Sequence, residues 1–284
     1  MKFLVLGAGG MAGHTITIYL MENGHDVTGF DLKQIPFCKT IDGDARNEDL
    51  IKNIIINGRF DAIINCIGIL NQFAEQNIGL AVFLNSYLPH LLAELTKDIP
   101  TKIIHMSTDC VFSGKKGKYT ESDMPDGDTI YDRTKALGEL KDDKNVTFRN
   151  SVVGPDINKN GIGLLNWFMK EKGPVNGYKN TLWTGLTTLQ LAKAMEQVSK
   201  ESVHGLFNMV YKEPISKLNL LILFNKYLRN NKIIIMSSDG AVIDKSLKRT
   251  NFDFNYIIPD YEKMVYEMAV WIKNHKDLYP HYNL

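Results

Sequence analysis

The sequence predicts an α/β fold, in which a doubly wound parallel β-sheet is followed by a smaller mixed α/β lobe. Short apolar runs alternate with helix-length amphipathic stretches over residues 1–155, and this alternation is typical of a parallel sheet covered by helices on both faces. A glycine-rich segment joins the first strand to the first helix, and after Gly154-Pro155 the alternation loosens. We therefore expect the sheet in residues 1–155 and the lobe in residues 156–284, with some exchange of strands and helices between them.

The elements of the first part follow from apolar periodicity and from the residues that end helices. Residues 2–6 form a buried strand because four of the five are apolar. The first helix, over residues 12–23, ends where Asn23-Gly24 readily leaves the helical conformation. The remaining predicted elements are strands over 27–31, ending near 41, over 61–67, 102–107 and 146–153, and helices over 47–57, 73–97 and 129–142.

The second part predicts more helix than strand. No repeat, low-complexity tract or flexible linker separates it from the first part, so we expect it to pack directly on the sheet. Its predicted elements are helices near 161–171, 187–199, 214–229 and 259–275, and short strands over 205–210 and 232–236.

Composition excludes several classes of partner. Lys and Arg number 33 and Asp and Glu number 32, so the net charge is +1, which supplies no overall field for nucleic acid or an anionic membrane. The cysteines Cys38, Cys66 and Cys110 are spaced for neither a disulfide framework nor a zinc site, and the seven histidines show no metal spacing. No apolar run reaches the roughly 18 to 20 residues of a membrane span. We expect a protein of a reducing compartment, the cytoplasm, with no metal site.

The glycine-rich segment is the first candidate binding site. Gly7, Gly10 and Gly13 follow the first strand and open the first helix with the spacing GxxGxxG, and Met11 lies among them. Such a segment needs a tight strand-to-helix turn and a bare backbone that lets a pyrophosphate reach the helix N-terminus. The motif has its required context, a strand before it and a helix after it. The alternative is a glycine turn that only packs well.

Asp31 ends the second predicted strand, 18 residues after Gly13. A carboxylate there would accept hydrogen bonds from the adenosine ribose hydroxyls of a dinucleotide, whereas a 2′-phosphate would meet like charge. Asp31 therefore favours NAD over NADP, although Lys33, two residues on, would soften the repulsion.

Tyr131 and Lys135 lie four residues apart on one predicted helix, so they share a face. A Lys ammonium at about 4 Å supplies roughly 4 kcal/mol at an effective dielectric near 20, which is enough to lower a phenol pKa toward neutrality. The pair could then move protons, and Lys135 could also hold a nicotinamide ribose. The alternative is a surface pair formed by chance.

Further candidates follow the fourth and fifth strands, because ligands of doubly wound sheets bind at the carboxyl ends of strands. In Ser107-Thr108-Asp109 a hydroxyl could polarise a substrate carbonyl beside Tyr131, or it could only cap the following turn. In Cys66-Ile67-Gly68 the glycine allows a cofactor to approach closely.

Asn85 lies inside the long predicted helix, four residues before Pro89. Proline has no N–H to donate, so the Asn85 carbonyl is free to bind a water or an ammonium group. The alternative is a simple kink.

With these residues in place, the chain resembles the extended short-chain dehydrogenase/reductases, and within them the dTDP-4-dehydrorhamnose reductase branch. The resemblance covers the first 155 residues in the expected order, with looser matches at 184–195 and 205–209. It implies a Rossmann-type sheet and an NAD or NADP cofactor. The matching segments are GAGGMAG at 7–13, DGDARN at 42–47, NCIG at 65–68, STDCVFSG at 107–114, YDRTKALGE at 131–139 and FRNSVVGP at 148–155.

The resemblance also implies roles for individual residues. Thr108, Tyr131 and Lys135 would be the catalytic triad, with Asn85 a fourth member of a proton relay. Thr108 is preferred to Ser107 because it lies three residues before Val111, where the family has its hydroxyl. The expected cofactor-binding residues are Gly7, Gly10, Met11, Gly13, Asp31, Asp44 at the adenine amine, Ala45 against the adenine ring, Cys66, Ile67, Gly68, Tyr131 and Lys135.

Departures from the family bear on the substrate. Sugar-nucleotide dehydratases carry Glu where this chain has Cys110, so the acid for eliminating water is missing. Ser113 replaces a common Asp and Val152 a common Trp, which puts the particular sugar in doubt. The expected substrate-binding residues are Asp109, Cys110, Arg149 and Val152 in the segment 149–154, and Trp183, for which plain packing is the favoured alternative.

The sequence therefore predicts an NAD(P)H-dependent reductase of a nucleotide diphosphate keto-deoxysugar, which serves cell-surface polysaccharide precursor synthesis. A homodimer is the candidate assembly. Two alternatives stay open. One is a nucleotide-sugar epimerase of the same superfamily, and the other is a non-catalytic regulatory subunit on the same scaffold.

Overall fold

A computed structural model describes residues 1–240 and 242–282. Its main feature is a seven-stranded parallel sheet that runs through the middle of the molecule. The strands of the structure are β1 (Lys2–Leu6), β2 (Asp26–Asp31), β3 (Lys39–Asp42), β4 (Ala62–Asn65), β5 (Lys102–Ser107), β6 (Val146–Arg149), β7 (Ser151–Val153), β8 (Val175–Tyr178), β9 (Thr181–Trp183), β10 (Gly185–Thr187), β11 (Gly205–Asn208), β12 (Ile215–Ser216), β13 (Ile235–Ser238) and β14 (Ile243–Asp244).

Helices cover both faces of this sheet. The α-helices are α1 (Met11–Glu22), α2 (Glu48–Gly58), α3 (Asn71–Gln76), α4 (Ile78–Ala81), α5 (Leu88–Thr96), α6 (Ile130–Leu137), α7 (Leu164–Lys170), α8 (Thr188–Ser199), α9 (Lys217–Leu228) and α10 (Tyr261–Asn274). A π-helical turn, Val82–Tyr87, joins α4 to α5.

The strand order β11-β6-β5-β4-β1-β2-β3 confirms the predicted doubly wound, Rossmann-type sheet. The order reverses between β1 and β4, and the crevice at such a switch point is where these sheets bind ligands. Two apolar clusters flank the sheet, because alternate residues of each strand face opposite sides: Phe3 and Val5 lie in one cluster, and Leu4 and Leu6 lie in the other.

The edge strand β11 comes from the second part of the chain. It pairs with β6, so that Phe207 lies beside Phe148, and α8 packs on α1. A strand from residues 156–284 thus completes the main sheet. The rest of the second part forms short sheets, in which β8 pairs with β13, β9 with β12 and β14, and β10 with β7.

The single helix predicted over residues 73–97 is wrong, because the structure interrupts it twice. Asn77 leaves the helical conformation between α3 and α4, with φ −136°. The π-helical turn then precedes Pro89, which has no N–H for the regular helical ladder.

One stretch of helix, Ile78–Thr96, is as long and as apolar as a membrane-crossing helix, although the sequence analysis expected no such run. Length and composition alone do not separate a crossing helix from the core helix of a globular domain. In the structure, Leu88 and Leu92 are buried in one of the two clusters that flank the sheet.

The predicted strand over 146–153 is also wrong as one element. It divides at Asn150 into β6, in the main sheet, and β7, which pairs with β10 in a separate sheet. The helix predicted over 129–142 ends early, at Leu137, because Gly138 caps it.

Candidate active site

The glycine loop between β1 and α1 needs glycine for steric reasons. Gly7 has φ +76°, a conformation that favours glycine. A Cβ on Gly13 would lie 2.0 Å from the Gly7 carbonyl oxygen and 3.0 Å from Ala8 Cα, so α1 can approach the end of β1 only if residue 13 is glycine. Gly10 is the N-cap residue of α1. The loop therefore holds a bare helix N-terminus over the switch point of the sheet.

A cleft of about 470 Å³ opens above this loop. It extends from the glycine loop across the carboxyl ends of β2 and β4, as a bound dinucleotide would require. Eight residues expected to bind the cofactor line it: Gly7, Gly10, Asp31, Asp44, Ala45, Cys66, Ile67 and Gly68. The shape and the bare backbone of the cleft thus fit a nicotinamide dinucleotide.

Four residues expected at the cofactor do not line the cleft, namely Met11, Gly13, Tyr131 and Lys135. Gly13 contributes indirectly, because its lack of a side chain lets α1 pack closely against the end of β1. Met11 turns its side chain toward Gly163, where an added Cβ would lie 3.0 Å from Met11 Sδ. Other residues that line the cleft were not predicted from the sequence, namely Gly9, Phe30, Leu32, Gly43, Arg46, Leu80 and Leu84.

Asp31 lies at the edge of the cleft and is hydrogen bonded to the glycine loop. Its Oδ2 accepts a hydrogen bond from Gly9 N at 2.8 Å, and its Oδ1 accepts one from Leu32 N at 2.8 Å. The carboxylate is thereby fixed to the glycine loop at the position expected of a ribose-binding group. It retains lone pairs for further donors.

Asp44 faces the same cleft and pairs with Arg46. The Arg46 Nη2 lies 2.5 Å from Asp44 Oδ2, and the Arg46 backbone N–H binds Asp44 Oδ1. These hydrogen bonds lower the pKa of Asp44, so the carboxylate stays ionised. The spacing of Asp44 and Arg46 in the sequence was the signal that could have revealed Arg46.

Tyr131 and Lys135 lie on α6, and both are almost fully buried. Thr129 and Asp132 form a capping box that fixes the start of this helix. The Lys135 ammonium donates to the Met106 carbonyl at 2.6 Å and lies near Cys66, at the floor of the cleft. Burial lowers the pKa of Lys135 to about 8, against the opposing effect of Glu139.

The expectation that Lys135 lowers the pKa of Tyr131 is wrong. Burial raises the pKa of Tyr131, the nearby Cys110 raises it further, and the neighbouring Thr108 side chain partly opposes the rise. Lys135 instead points at the Met106 carbonyl. Tyr131 therefore stays protonated, as a proton donor must be.

Thr108 begins a short 3-10 turn, Asp109–Val111, beside Tyr131. Its Oγ1 accepts a hydrogen bond from Cys110 N at 3.1 Å and donates one to Asp109 Oδ1 at 3.2 Å. Burial raises the pKa of Asp109 to about 6 and that of the Cys110 thiol to about 12. The charge of Lys245 faces Asp109 and partly opposes the first of these shifts. The structure thus brings together Thr108, Tyr131, Asp109 and Cys110.

Arg149 does not reach the cleft, which corrects its expected role in substrate binding. The side chain is fully buried, and its Nε and Nη2 lie 2.7 and 2.5 Å from the two carboxylate oxygens of Glu139. The guanidinium also lies over the Phe112 ring, 4.9 Å from its centroid. Ser107 donates to the same Glu139 at 2.8 Å, so its hydroxyl is engaged here, and Thr108 has the hydroxyl near Tyr131.

The expected relay position of Asn85 is not present either. Its side chain binds the backbone of Ile69 and donates to Thr134 Oγ1 at 3.1 Å. Its carbonyl packs against Gly138, where an added Cβ would lie 1.9 Å from that oxygen. Asn85 therefore holds α6 against the π-helical turn, and the Lys135 ammonium binds another carbonyl.

Val152 and Trp183 take packing positions. Val152 lies in β7 and contacts the main core cluster, which also contains the almost fully buried Trp183 ring. Trp183 Nε1 donates to Ser151 Oγ at 2.9 Å. This is the packing role that the sequence favoured for Trp183.

Within the described ranges, no group of three His, Cys, Asp or Glu side chains is placed to hold a metal ion.

Comparisons with known proteins identify the family of the chain. A family model described as "RmlD substrate binding domain" matches residues 1–231. Over 141 residues the chain is 32% identical to a dTDP-4-dehydrorhamnose reductase of Aggregatibacter actinomycetemcomitans, which covers 49% of this chain and 45% of that protein. Over 143 residues it is 32% identical to a probable low-salt glycan biosynthesis reductase of Haloferax volcanii, covering 49% and 48%. The chain thus aligns with about half the length of these curated relatives.

The fold also matches solved structures. One is a dTDP-4-dehydrorhamnose reductase of Bacillus anthracis in complex with NADP, with a TM-score of 0.79. The two chains are 20% identical, and the match covers 95% of this chain and 99% of that one. At this identity the similarity shows a shared fold.

Proposed function

The chain belongs to the family described as RmlD substrate binding domain, and from this premise we propose that it is an NAD(P)H-dependent reductase of a nucleotide-linked 4-keto-deoxysugar. The observation that supports this most is a dinucleotide-shaped cleft lined by Cys66, with Lys135 near Cys66 and with Thr108 beside Tyr131. The two curated relatives are also named as reductases. Such an activity belongs to the synthesis of polysaccharide precursors.

In the proposed reaction, the reduced nicotinamide supplies a hydride to the carbonyl carbon of the sugar. Tyr131 donates a proton to the carbonyl oxygen, and burial keeps it protonated for that step. Thr108 binds the same oxygen through its hydroxyl. Lys135 places a positive charge near Cys66, which lines the cleft, and would bind the nicotinamide ribose there.

The residues at the adenosine end bear on the choice of cofactor. The fixed carboxylate of Asp31 favours the ribose hydroxyls of NADH over the 2′-phosphate of NADPH. Arg46 lines the same cleft, but Asp44 neutralises its charge. We propose NADH as the preferred cofactor, with NADPH accepted less well. A lower KM for NADPH than for NADH would contradict this preference.

The substrate side rests on Asp109 and Cys110, which lie beside Tyr131. Cys110 stands where related dehydratases carry a carboxylic acid, and burial raises the pKa of its thiol to about 12, so it supplies no acid for the loss of water. We propose that the sugar ring lies against these two residues and is reduced without elimination.

The test is a panel of dTDP- and UDP-linked 4-keto-6-deoxysugars with NADH or NADPH, in which cofactor absorbance and sugar product are both measured. We expect one cofactor oxidised for each carbonyl reduced. A change of sugar configuration without net cofactor consumption would identify an epimerase instead. No turnover on any member of the panel, together with a stoichiometric enzyme partner in a pull-down, would favour a regulatory subunit.

A further inference from the structure

The segment after α10 folds back onto the helix that carries the glycine loop. Tyr279 lies between two short 3-10 turns, Lys276–Leu278 and Pro280–Tyr282, and is only 1% exposed. Its hydroxyl is 2.8 Å from Nε2 of His14, a fully buried residue in the first turns of α1. The other ring nitrogen, Nδ1, is 2.9 Å from the Gly10 carbonyl oxygen. A chain of contacts thus runs from Tyr279 to the N-cap of α1.

The donor and acceptor properties of the groups determine which atom carries each proton in this chain of hydrogen bonds. A carbonyl oxygen only accepts, so His14 Nδ1 must carry the proton that binds Gly10. Burial lowers the pKa of His14 to about 4, so the ring is neutral near pH 7 and Nε2 has a free lone pair. Two hydroxyls face Nε2, Tyr279 at 2.8 Å and Thr15 at 3.4 Å, and we assign the donor role to the closer Tyr279, which is then free to accept from Trp271 Nε1, 3.4 Å away. Each donor in the chain has an acceptor.

The end of this chain fixes a peptide group at the proposed pyrophosphate site. The Gly10 carbonyl also accepts from His14 N at 3.0 Å, so two donors of one residue hold it. In a planar trans peptide the following N–H, that of Met11, points the opposite way. It therefore points out of the N-terminus of α1, toward the cleft that the glycine loop lines.

We propose that His14 and Tyr279 are positioning residues, which hold the Gly10–Met11 peptide in the orientation that binds the pyrophosphate of NAD(P)H. This inference rests on the proposed function, because it takes the cleft to be a dinucleotide site. A peptide group that is fixed before binding costs less ordering free energy when the ligand arrives. The contact also makes cofactor affinity depend on a segment more than 260 residues away in the chain, since Tyr279 and His14 are 265 positions apart.

Packing alone is a weaker explanation. A buried imidazole and a buried phenol cost free energy unless both are hydrogen bonded, and an aliphatic side chain would fill the same space without that cost. Tyr282 shows the contrast within the same segment. It is equally buried and stacks on Tyr279, but its hydroxyl accepts from Asp156 N at 2.8 Å, away from the glycine loop.

The experiment measures the Kd of NADH and NADPH by fluorescence titration, and the thermal stability, for four variants of the full chain. His14→Leu removes the donor to Gly10, and we expect its Kd to rise about three- to tenfold, the effect of one lost hydrogen bond. His14→Asn retains an N–H donor near the position of Nδ1, so its Kd should stay within about twofold of wild type. Tyr279→Phe should raise the Kd about two- to fivefold, and the matched control Tyr282→Phe should leave it unchanged.

Equal Kd values for His14→Leu and wild type would overturn the inference. So would equal losses in His14→Leu and His14→Asn, because a purely structural role would not distinguish the two. If His14→Leu does not fold, the decision passes to the tyrosine pair, and equal Kd values for Tyr279→Phe and Tyr282→Phe would overturn the inference. Failure of the wild-type chain to bind either cofactor would instead overturn the proposed function itself.

Discussion

The hydroxyl proton of Thr108 has two possible acceptors, and the protonation state of Asp109 decides between them. While Asp109 is ionised, Thr108 donates to it and cannot donate to a substrate carbonyl. Burial raises the pKa of Asp109 to about 6, although Lys245 opposes the shift. Protonation of Asp109 as the pH falls through about 6 therefore frees the Thr108 hydroxyl for the substrate.

This arrangement predicts a pH step in the reduction. We expect kcat/KM to rise as the pH falls through about 6, since this parameter reports the groups of the free enzyme. Asp109→Asn carries no charge at any pH, so the step should disappear. The check is a pair of pH–rate profiles between about pH 5 and 8. Superimposable profiles for the variant and wild type would contradict the role given to Asp109.

Arg149 and Glu139 form an ion pair in which both side chains are fully buried. Removal of one partner leaves an unpaired buried charge, which typically costs about 3–5 kcal/mol. We therefore expect urea unfolding to show a free energy of unfolding that is lower by this amount in Arg149→Met than in wild type. The double variant Arg149→Met/Glu139→Gln should be more stable than Arg149→Met alone, because it has no unpaired buried charge. A single variant as stable as wild type would show that the pair does not hold the site together.

The same residues show what a sequence can and cannot indicate. Tyr131 and Lys135 follow from helix spacing, and the pair Ser107-Thr108 follows from its place after a strand, since both are local properties. The choice of Thr108 came from the family resemblance. Arg149 also follows a strand end, but its partner Glu139 lies ten residues away, and no local pattern shows that the two meet. Asn85 was assigned from a missing N–H at Pro89, yet the fate of its carbonyl depends on Gly138 in another helix.

At the scale of elements, α6 and the π-helical turn meet at Gly138. A Cβ there would lie 1.9 Å from the Asn85 carbonyl oxygen and 3.3 Å from Ser86 Cα, so the backbones themselves would have to separate. Asn85 and Ser86 also bind Thr134 across the same contact. This contact fixes α6, and with it Tyr131 and Lys135, against the sheet.

Gly138→Ala should therefore be destabilising, by about 1–3 kcal/mol as expected for overpacking, and it should slow turnover because α6 shifts. Gly79→Ala in α4 is the matched control, since a Cβ there would meet nothing within 4 Å. Alanine is the better helix former, so the control should be neutral or more stable by up to about 1 kcal/mol. Equal urea midpoints for the two variants would contradict the close packing at Gly138.

The predictions of helices and strands were correct where an apolar pattern extended over a whole element. They were wrong where tertiary contacts divide one apolar run into two elements. The first five strands of the main sheet were located to within two residues at most ends. The split at Asn150 could not be predicted, because β6 and β7 join sheets whose partners, β11 and β10, lie far along the chain. The strands of the second part have only two to four residues each, too few to show a period.

At the scale of the whole molecule, the near-zero net charge and the proposed anionic substrate are compatible. A pyrophosphate needs only a fixed helix N-terminus and a few local cations, and the glycine loop supplies the first of these. The two parts of the chain share this work. The second part completes the main sheet with β11 and, through Tyr279, braces the loop that the first part provides.

The measurement that tests the central claim most directly is the kinetic and binding behaviour of Tyr131→Phe, which removes one hydroxyl and nothing else from the site. The account predicts that turnover of the keto sugar falls about 10²- to 10⁴-fold, the usual contribution of a positioned proton donor, while the Kd for NADH stays within about twofold of wild type. Turnover close to that of wild type would contradict the account, because Tyr131 would then not be the proton donor.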